Sequence, residues 1–135
     1  MIKTFSASLD KLYDMLKFIK EQAEAAGFQP AVISKIELAA EEALVNIISY
    51  GYPEQHGNID IACSPPERDG IKIVIKDRGI SYNPLTNAKK VDVTTTIEER
   101  TIGGYGIYFI LRIMDEVEYR RENNYNVLTL IKYRS

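Results

Sequence analysis

The apolar residues of this chain change period as the sequence advances, and that change limits the fold more than any other feature. From Leu9 to Ala26 they recur at helical spacing, at Leu12, Met15, Leu16, Ile19 and Ala23, up to Gly27, a natural helix stop. Pro30 suits the first turn of a second helix, which Ile33, Ile36, Ala40, Ala43, Leu44 and Ile47 carry to Gly51 and Pro53. The period then drops to two in NIDIACS (58–64) and GIKIVIKD (70–77), two predicted strands with PPERD as the turn between them. A weakly alternating IKTFSAS (2–8) predicts a strand ahead of the first helix. Beyond an irregular stretch, GGYG leads into the apolar helix IYFILRIMDE, and VEYRR with NVLTLIKYR predicts a closing hairpin across Glu122 to Asn126. This order places helices on one face of a mixed, mostly antiparallel sheet, an α+β fold built as a two-layer α/β sandwich.

Length and charge then remove several function classes. A chain of 135 residues is one domain by size and buries on the order of 70% of its unfolded surface, enough for a pocket. Lys plus Arg number 17 against 19 Asp plus Glu, a formal net charge of −2, so no basic field points to nucleic acid or to an anionic membrane. No apolar run approaches the roughly 20 residues needed to span a bilayer. MIKTFSASLD lacks the basic, apolar and cleavage regions of a signal peptide, and Cys63 has no second cysteine to pair with. The expectation is a soluble cytoplasmic protein. His56 and Cys63 lie too far from other ligand types to suggest zinc, and read as a loop histidine and a half-buried strand cysteine. The nine Tyr and four Phe are spread along the chain and form no basic stacking platform.

Three short stretches carry the chemistry. In EEALVNIISYGYP (41–53), Glu42 and Asn46 lie four apart on one helix face bordering the apolar stripe, where a structural helix prefers Leu or Ala. An amide oxygen suits Mg²⁺, which takes hard oxygens and completes its shell with phosphates, and a carboxylate one turn away can accept a proton from an attacking hydroxyl. In IKDRGISYNP, Asp77 ends an apolar strand and Gly79 follows two residues later. A strand-end carboxylate can accept a hydrogen bond from an exocyclic amino group, and a glycine lets backbone approach a flat ring. In IGGYGIYFI, Gly103, Gly104 and Gly106 free the backbone to wrap an anion at the positive end of the following helix. There is no G-x-x-x-x-G-K-[ST] and no strand directly before the glycines, so neither a P-loop nor a dinucleotide fingerprint is present. Alone, each stretch reads better as a solvated helix edge, a plain Asp-x-Gly turn and a flexible helix start. Their order and their placement on helix, strand end and late helix make coincidence a poor account of all three.

On these residues the chain resembles the GHKL (Bergerat-fold) ATPases, and within them the bacterial anti-sigma factor serine-protein kinases. EEALVNIISYGYP matches the N box, DRGISYNP the first glycine box, and GGYGIYFILRIMDEVEY the second glycine box with its following helix and strand; MDEVEY is typical of the anti-sigma kinases. The resemblance covers nearly the whole chain, 1–135. It implies the Bergerat ATP-binding fold, with Glu42 as the general base, Asn46 as the Mg²⁺ ligand and Asp77 as the adenine-binding aspartate. Gly79 would lie beside the base, and Gly103, Gly104, Tyr105 and Gly106 in the ATP-binding glycine box. Residues from about Ser81 to Ile102 would form the ATP lid, which fits a polar, irregular segment too long for a simple connection. Ser81 stands where broader GHKL proteins have a second glycine, and the following Tyr82, Asn83 and Pro84 agree with the anti-sigma group. Arg100 is a further candidate for reaching the γ-phosphate.

The function so implied is that of an anti-sigma factor with ATP-dependent serine-protein kinase activity. It would phosphorylate a small antagonist protein and release or hold a sigma factor by partner switching, with ATP and Mg²⁺ as cofactors. An alternative of another class is a non-catalytic ATP-binding switch whose lid ordering controls partner binding; retention of Glu42 favours the enzyme. A sensor histidine kinase fits less well, because His56 follows the N-box helix and 135 residues would leave no room for a helical dimerisation domain. The first strand could serve as a pairing edge for a homodimer.

Overall fold

In a computed structural model, residues 1–51, 57–79 and 105–134 are described, and they build five strands and three α-helices. Strand β1 (Ile2–Ser6) leads through a short 3₁₀ turn, Leu9–Lys11, into α1 (Leu12–Ala25). The predicted strand ends two residues early because Ser8 takes up the next role: its hydroxyl accepts from the Asp10 N–H and starts the turn. Helix α1 closes on a Schellman motif, in which Phe28 N–H reaches Ala23 O, Gly27 N–H reaches Glu24 O, and Gly27 sits at φ +87°. Helix α2 (Pro30–Asn46) begins with proline in its first turn, and its last residues unwind into a π-helical turn, Ile47–Gly51, where the sequence predicts straight helix to Gly51. Such turns widen the helix by one residue and concentrate at functional sites.

Strands β2 (Asn58–Ser64) and β3 (Gly70–Asp77) fall on the predicted residues. Helix α3 (Tyr105–Ile113) follows, and Lys132 Nζ donates to the Ile113 carbonyl at its C-terminus. Strands β4 (Glu116–Glu122) and β5 (Tyr125–Tyr133) form the closing hairpin, turned by Asn123 and Asn124 at φ +51° and +68°, the left-handed pair of a two-residue loop.

The sheet order is β1-β2-β3-β5-β4, and every described pairing is antiparallel. Alternation in β3 sends Ile71, Ile73 and Ile75 to the helix side, while Lys72, Val74 and Lys76 face outward. These isoleucines join Ile59, Ile61 and Leu130 from neighbouring strands and Met15, Ile19, Ile36 and Leu44 from α1 and α2 in one apolar core. Helix α2 packs against both α1 and α3. No helix among the described residues is long and apolar enough to cross a membrane.

Candidate functional site

Buried polar side chains are few here, and they stand at the ends of apolar rows. Among the described residues they are Asn46 (7% exposed), Asp77 (2%) and Asn126 (7%). On α2, Ile36, Ala39 and Ala43 are buried at helical spacing, and Asn46 is the next residue on that ridge. On β3, Ile71, Ile73 and Ile75 are followed on the same face by Asp77. Each element keeps its inward face to the last position and then offers a hydrogen-bonding group in place of a hydrocarbon.

Asn46 Nδ2 is buried with no hydrogen-bond acceptor among the described residues. An unmet N–H of this kind costs about 1–3 kcal/mol, a burden that a purely structural helix sheds by taking Ala or Leu. Glu42, one turn earlier, is half-buried. Burial, and then repulsion from Glu41, raises its carboxyl above the ordinary value, which makes the anion a stronger proton acceptor at neutral pH. By contrast Cys63 is buried in β2 and burial pushes its thiol up to about 11, so no thiolate nucleophile is offered there.

The other half of the site is a row across the sheet. Phe5, Ile59, Asp77, Asn126 and Arg121 occupy successive paired positions on β1, β2, β3, β5 and β4. Asp77 Oδ1 accepts from the Gly79 backbone N–H at 2.7 Å and from Asn126 Nδ2 at 3.1 Å. The first bond is an Asx turn that folds the chain back at the strand end. Asn126 Nδ2 also donates to the Gly79 carbonyl at 3.4 Å, while its Oδ1 accepts from the Tyr119 hydroxyl and from Arg121 Nη1 at 3.1 Å. Arg121 Nη1 donates to the same Gly79 carbonyl at 2.7 Å. Asp77 and Gly79, paired by sequence reasoning, are thus brought together by direct bonding.

Asn126, Tyr119 and Arg121 are site residues that sequence reasoning missed. A signal for Asn126 was present: in NVLTLIKYR it shares a face with Leu128 and Leu130, so it is polar at the end of an apolar row, as Asp77 is. Tyr105 and Gly106 open α3, whose packing on α2 brings the two motif-bearing helices side by side. Gly103, Gly104, Arg100, His56 and the Ser81–Ile102 lid lie outside the described residues.

A neutral amide and a basic carboxylate on one helix, with a fixed carboxylate and glycine on the facing sheet, fit a nucleotide and its metal better than a purely apolar ligand. The family described as Histidine kinase-like ATPase domain matches residues 5–132. The serine-protein kinase RsbW of Bacillus mycoides (strain KBAB4) is 31% identical over 114 residues, covering 82% of this chain and 70% of that protein. The protein of the same name from Bacillus thuringiensis subsp. konkukian (strain 97-27) is 30% identical with the same coverage. Among solved structures, the RsbU and RsbW domains of a Mycobacterium tuberculosis protein superpose with a TM-score of 0.66 at 14% identity, covering 98% of this chain and 32% of that one. The histidine kinase domain of a blue-light activated histidine kinase from Erythrobacter litoralis gives 0.57 at 13% identity, covering 91% and 61%. The solved structures bear on the fold and share its α+β plan; with the family match over nearly all of its length, this chain belongs to the histidine kinase-like ATPase domain family.

Proposed function

We propose that this protein is an ATP-dependent serine-protein kinase that acts as an anti-sigma factor in the bacterial cytoplasm, in one domain spanning 1–135. Its substrate is a serine on a small antagonist protein, and its other partner is a sigma factor. The name serine-protein kinase carried by the relatives supports the activity, and the resemblance of the three motifs to the anti-sigma kinases supports the partners. The observation that carries the nucleotide reading is the burial of Asn46 and Asp77 at the ends of two apolar rows, with the Nδ2 of Asn46 left without an acceptor among the described residues.

In this reading Asp77 accepts a hydrogen bond from the adenine amino group, with Gly79 letting the ring approach the backbone. Asn46 holds the Mg²⁺, which when bound neutralises charge on the phosphates. Gly103, Gly104, Tyr105 and Gly106 give the phosphates a backbone cradle at the start of α3. Glu42 takes the proton from the serine hydroxyl as its oxygen bonds to the γ-phosphorus and the bond to the β–γ bridging oxygen breaks, leaving phosphoserine and ADP. The half-buried, proton-hungry Glu42 favours this enzyme over a switch that only binds ATP.

Calorimetric titration with ATP, with and without Mg²⁺, tests the site. Binding that needs Mg²⁺ and is lost in Asp77→Asn is the expected result, and equal binding by Asp77→Asn would overturn the assignment. Glu42→Gln should bind ATP yet transfer no phosphate to the antagonist, and undiminished transfer would remove Glu42 from the mechanism.

A further inference from the structure

The amide of Asn126 has two N–H groups and two acceptor sites, and all four are engaged. Tyr119 and Arg121 donate to its oxygen, while its nitrogen donates to Asp77 and to the Gly79 carbonyl. Two donors on the oxygen settle which way the amide points, because a flipped amide would aim N–H groups at a guanidinium and an oxygen at a carboxylate. Arg121 Nη1 bridges this oxygen and the Gly79 carbonyl, tying the edge strand β4 to Gly79 directly and to Asp77 through Asn126. Charge-assisted bonds of this sort are about twice as strong as neutral ones.

We infer that Arg121, acting through Asn126 and the Gly79 carbonyl, is a positioning residue that sets the preference for a 6-amino over a 6-oxo purine. The inference rests on the nucleotide reading of Asp77. A carboxylate is acceptor-only, so it suits the amino group of adenine and repels the O6 of guanine. Guanine, however, also carries N–H donors along the same edge, and a carboxylate free to turn can reach them. Discrimination therefore depends on how firmly Asp77 is held in its plane. Gly79 and Asn126 hold it through one oxygen, and Arg121 with Tyr119 holds Asn126 in turn. Arg121 is itself exposed on β4 and contributes no side chain to the core, so it can be changed without opening a cavity.

The experiment is titration of Mg-ATP and Mg-GTP into the unaltered chain, Arg121→Ala, Arg121→Lys, Tyr119→Phe and Asp77→Asn, with urea unfolding of each. The unaltered chain should prefer ATP. Arg121→Ala should narrow the ATP-to-GTP affinity ratio by about tenfold, mostly by weakening ATP, while staying folded. Arg121→Lys, whose ammonium can serve both acceptors, should restore most of the ratio. Tyr119→Phe, which removes one hydroxyl, should narrow it by about threefold. A merely structural arginine would lower both affinities together, so an unchanged ratio in Arg121→Ala and Tyr119→Phe overturns the inference. Equal affinity of the unaltered chain for both nucleotides overturns it as well. If ATP binding is lost in Asp77→Asn but the ratio ignores Arg121, the inference alone fails; if the unaltered chain binds no ATP, the site reading fails with it.

Discussion

Replacing Asn46 by Leu should make the ligand-free protein more stable and the nucleotide-loaded protein less so. The buried Nδ2 without an acceptor costs about 1–3 kcal/mol. Leu removes that cost and continues the ridge of Ile36, Ala39 and Ala43, against some strain from its greater bulk. The net gain is about 1–2 kcal/mol. For 135 residues the unfolding entropy near the midpoint is roughly 0.28 kcal/mol per degree, so Tm should rise by about 4–7 °C. Mg-ATP at a hundred times its Kd should add about 2.7 kcal/mol to the unaltered chain and far less to the variant, which reverses their order. Differential scanning calorimetry with and without Mg-ATP reads both effects, and Asn46→Ala guards against a misfit of Leu. If both variants melt at or below the parent without ligand, the idea that Asn46 is kept at a structural cost is wrong. If the order does not reverse with Mg-ATP, Asn46 is not a ligand.

Two further outcomes are open to simple measurement. Glu42 has its pKa raised on folding, so its favourable contribution is complete below the unfolded value and is lost as pH rises through the folded one. Glu42→Gln should therefore be more stable than the parent at pH 7, with the difference closing towards about pH 4; urea midpoints that differ equally at both pH values would refute the burial. Gly70→Ala would set a Cβ 2.2 Å from the Lys132 carbonyl oxygen, so β3 and β5 must separate there, at a cost of about 1–3 kcal/mol in urea unfolding. An unchanged midpoint would mean that the strands do not approach as described.

Much of this molecule is legible in its local sequence, for reasons that particular residues make plain. The isoleucines of NIDIACS and GIKIVIKD recur at every second position because, among the described residues, the helices cover one sheet face, so the pattern survives without knowledge of the partners. Gly27 and Pro30 bracket the loop between α1 and α2 through backbone constraints that act within a few residues. Glu42, Asn46 and Asp77 stand out because a polar group breaks, or ends, an apolar rhythm. Arg121 could not be found this way. VEYRRE gives two adjacent arginines, and only the pairing of β4 with β5 sets Arg121 on the inner face beside Asn126 while Arg120 faces out to Glu122. The π-helical turn at Ile47–Gly51 was likewise hidden, since IISYG continues the helical spacing and the departure is one of backbone winding.

The Asp77–Asn126 bond joins residues 49 apart in sequence, and this bears on when the site comes into being. The chain up to Asp77 already contains the N-box helix and the strand that ends in the carboxylate, with the neighbours that pack around them. It lacks the strand that fixes the carboxylate, and a one-residue slip as β5 joins β3 would set Val127 opposite Asp77 and turn Asn126 to the outer face. The fixed carboxylate is therefore a product of the slowest kind of contact in this topology, a pairing that must close a long loop first. Possession of the motifs and possession of the site are separated in time, and only a chain that has completed its sheet in register holds both.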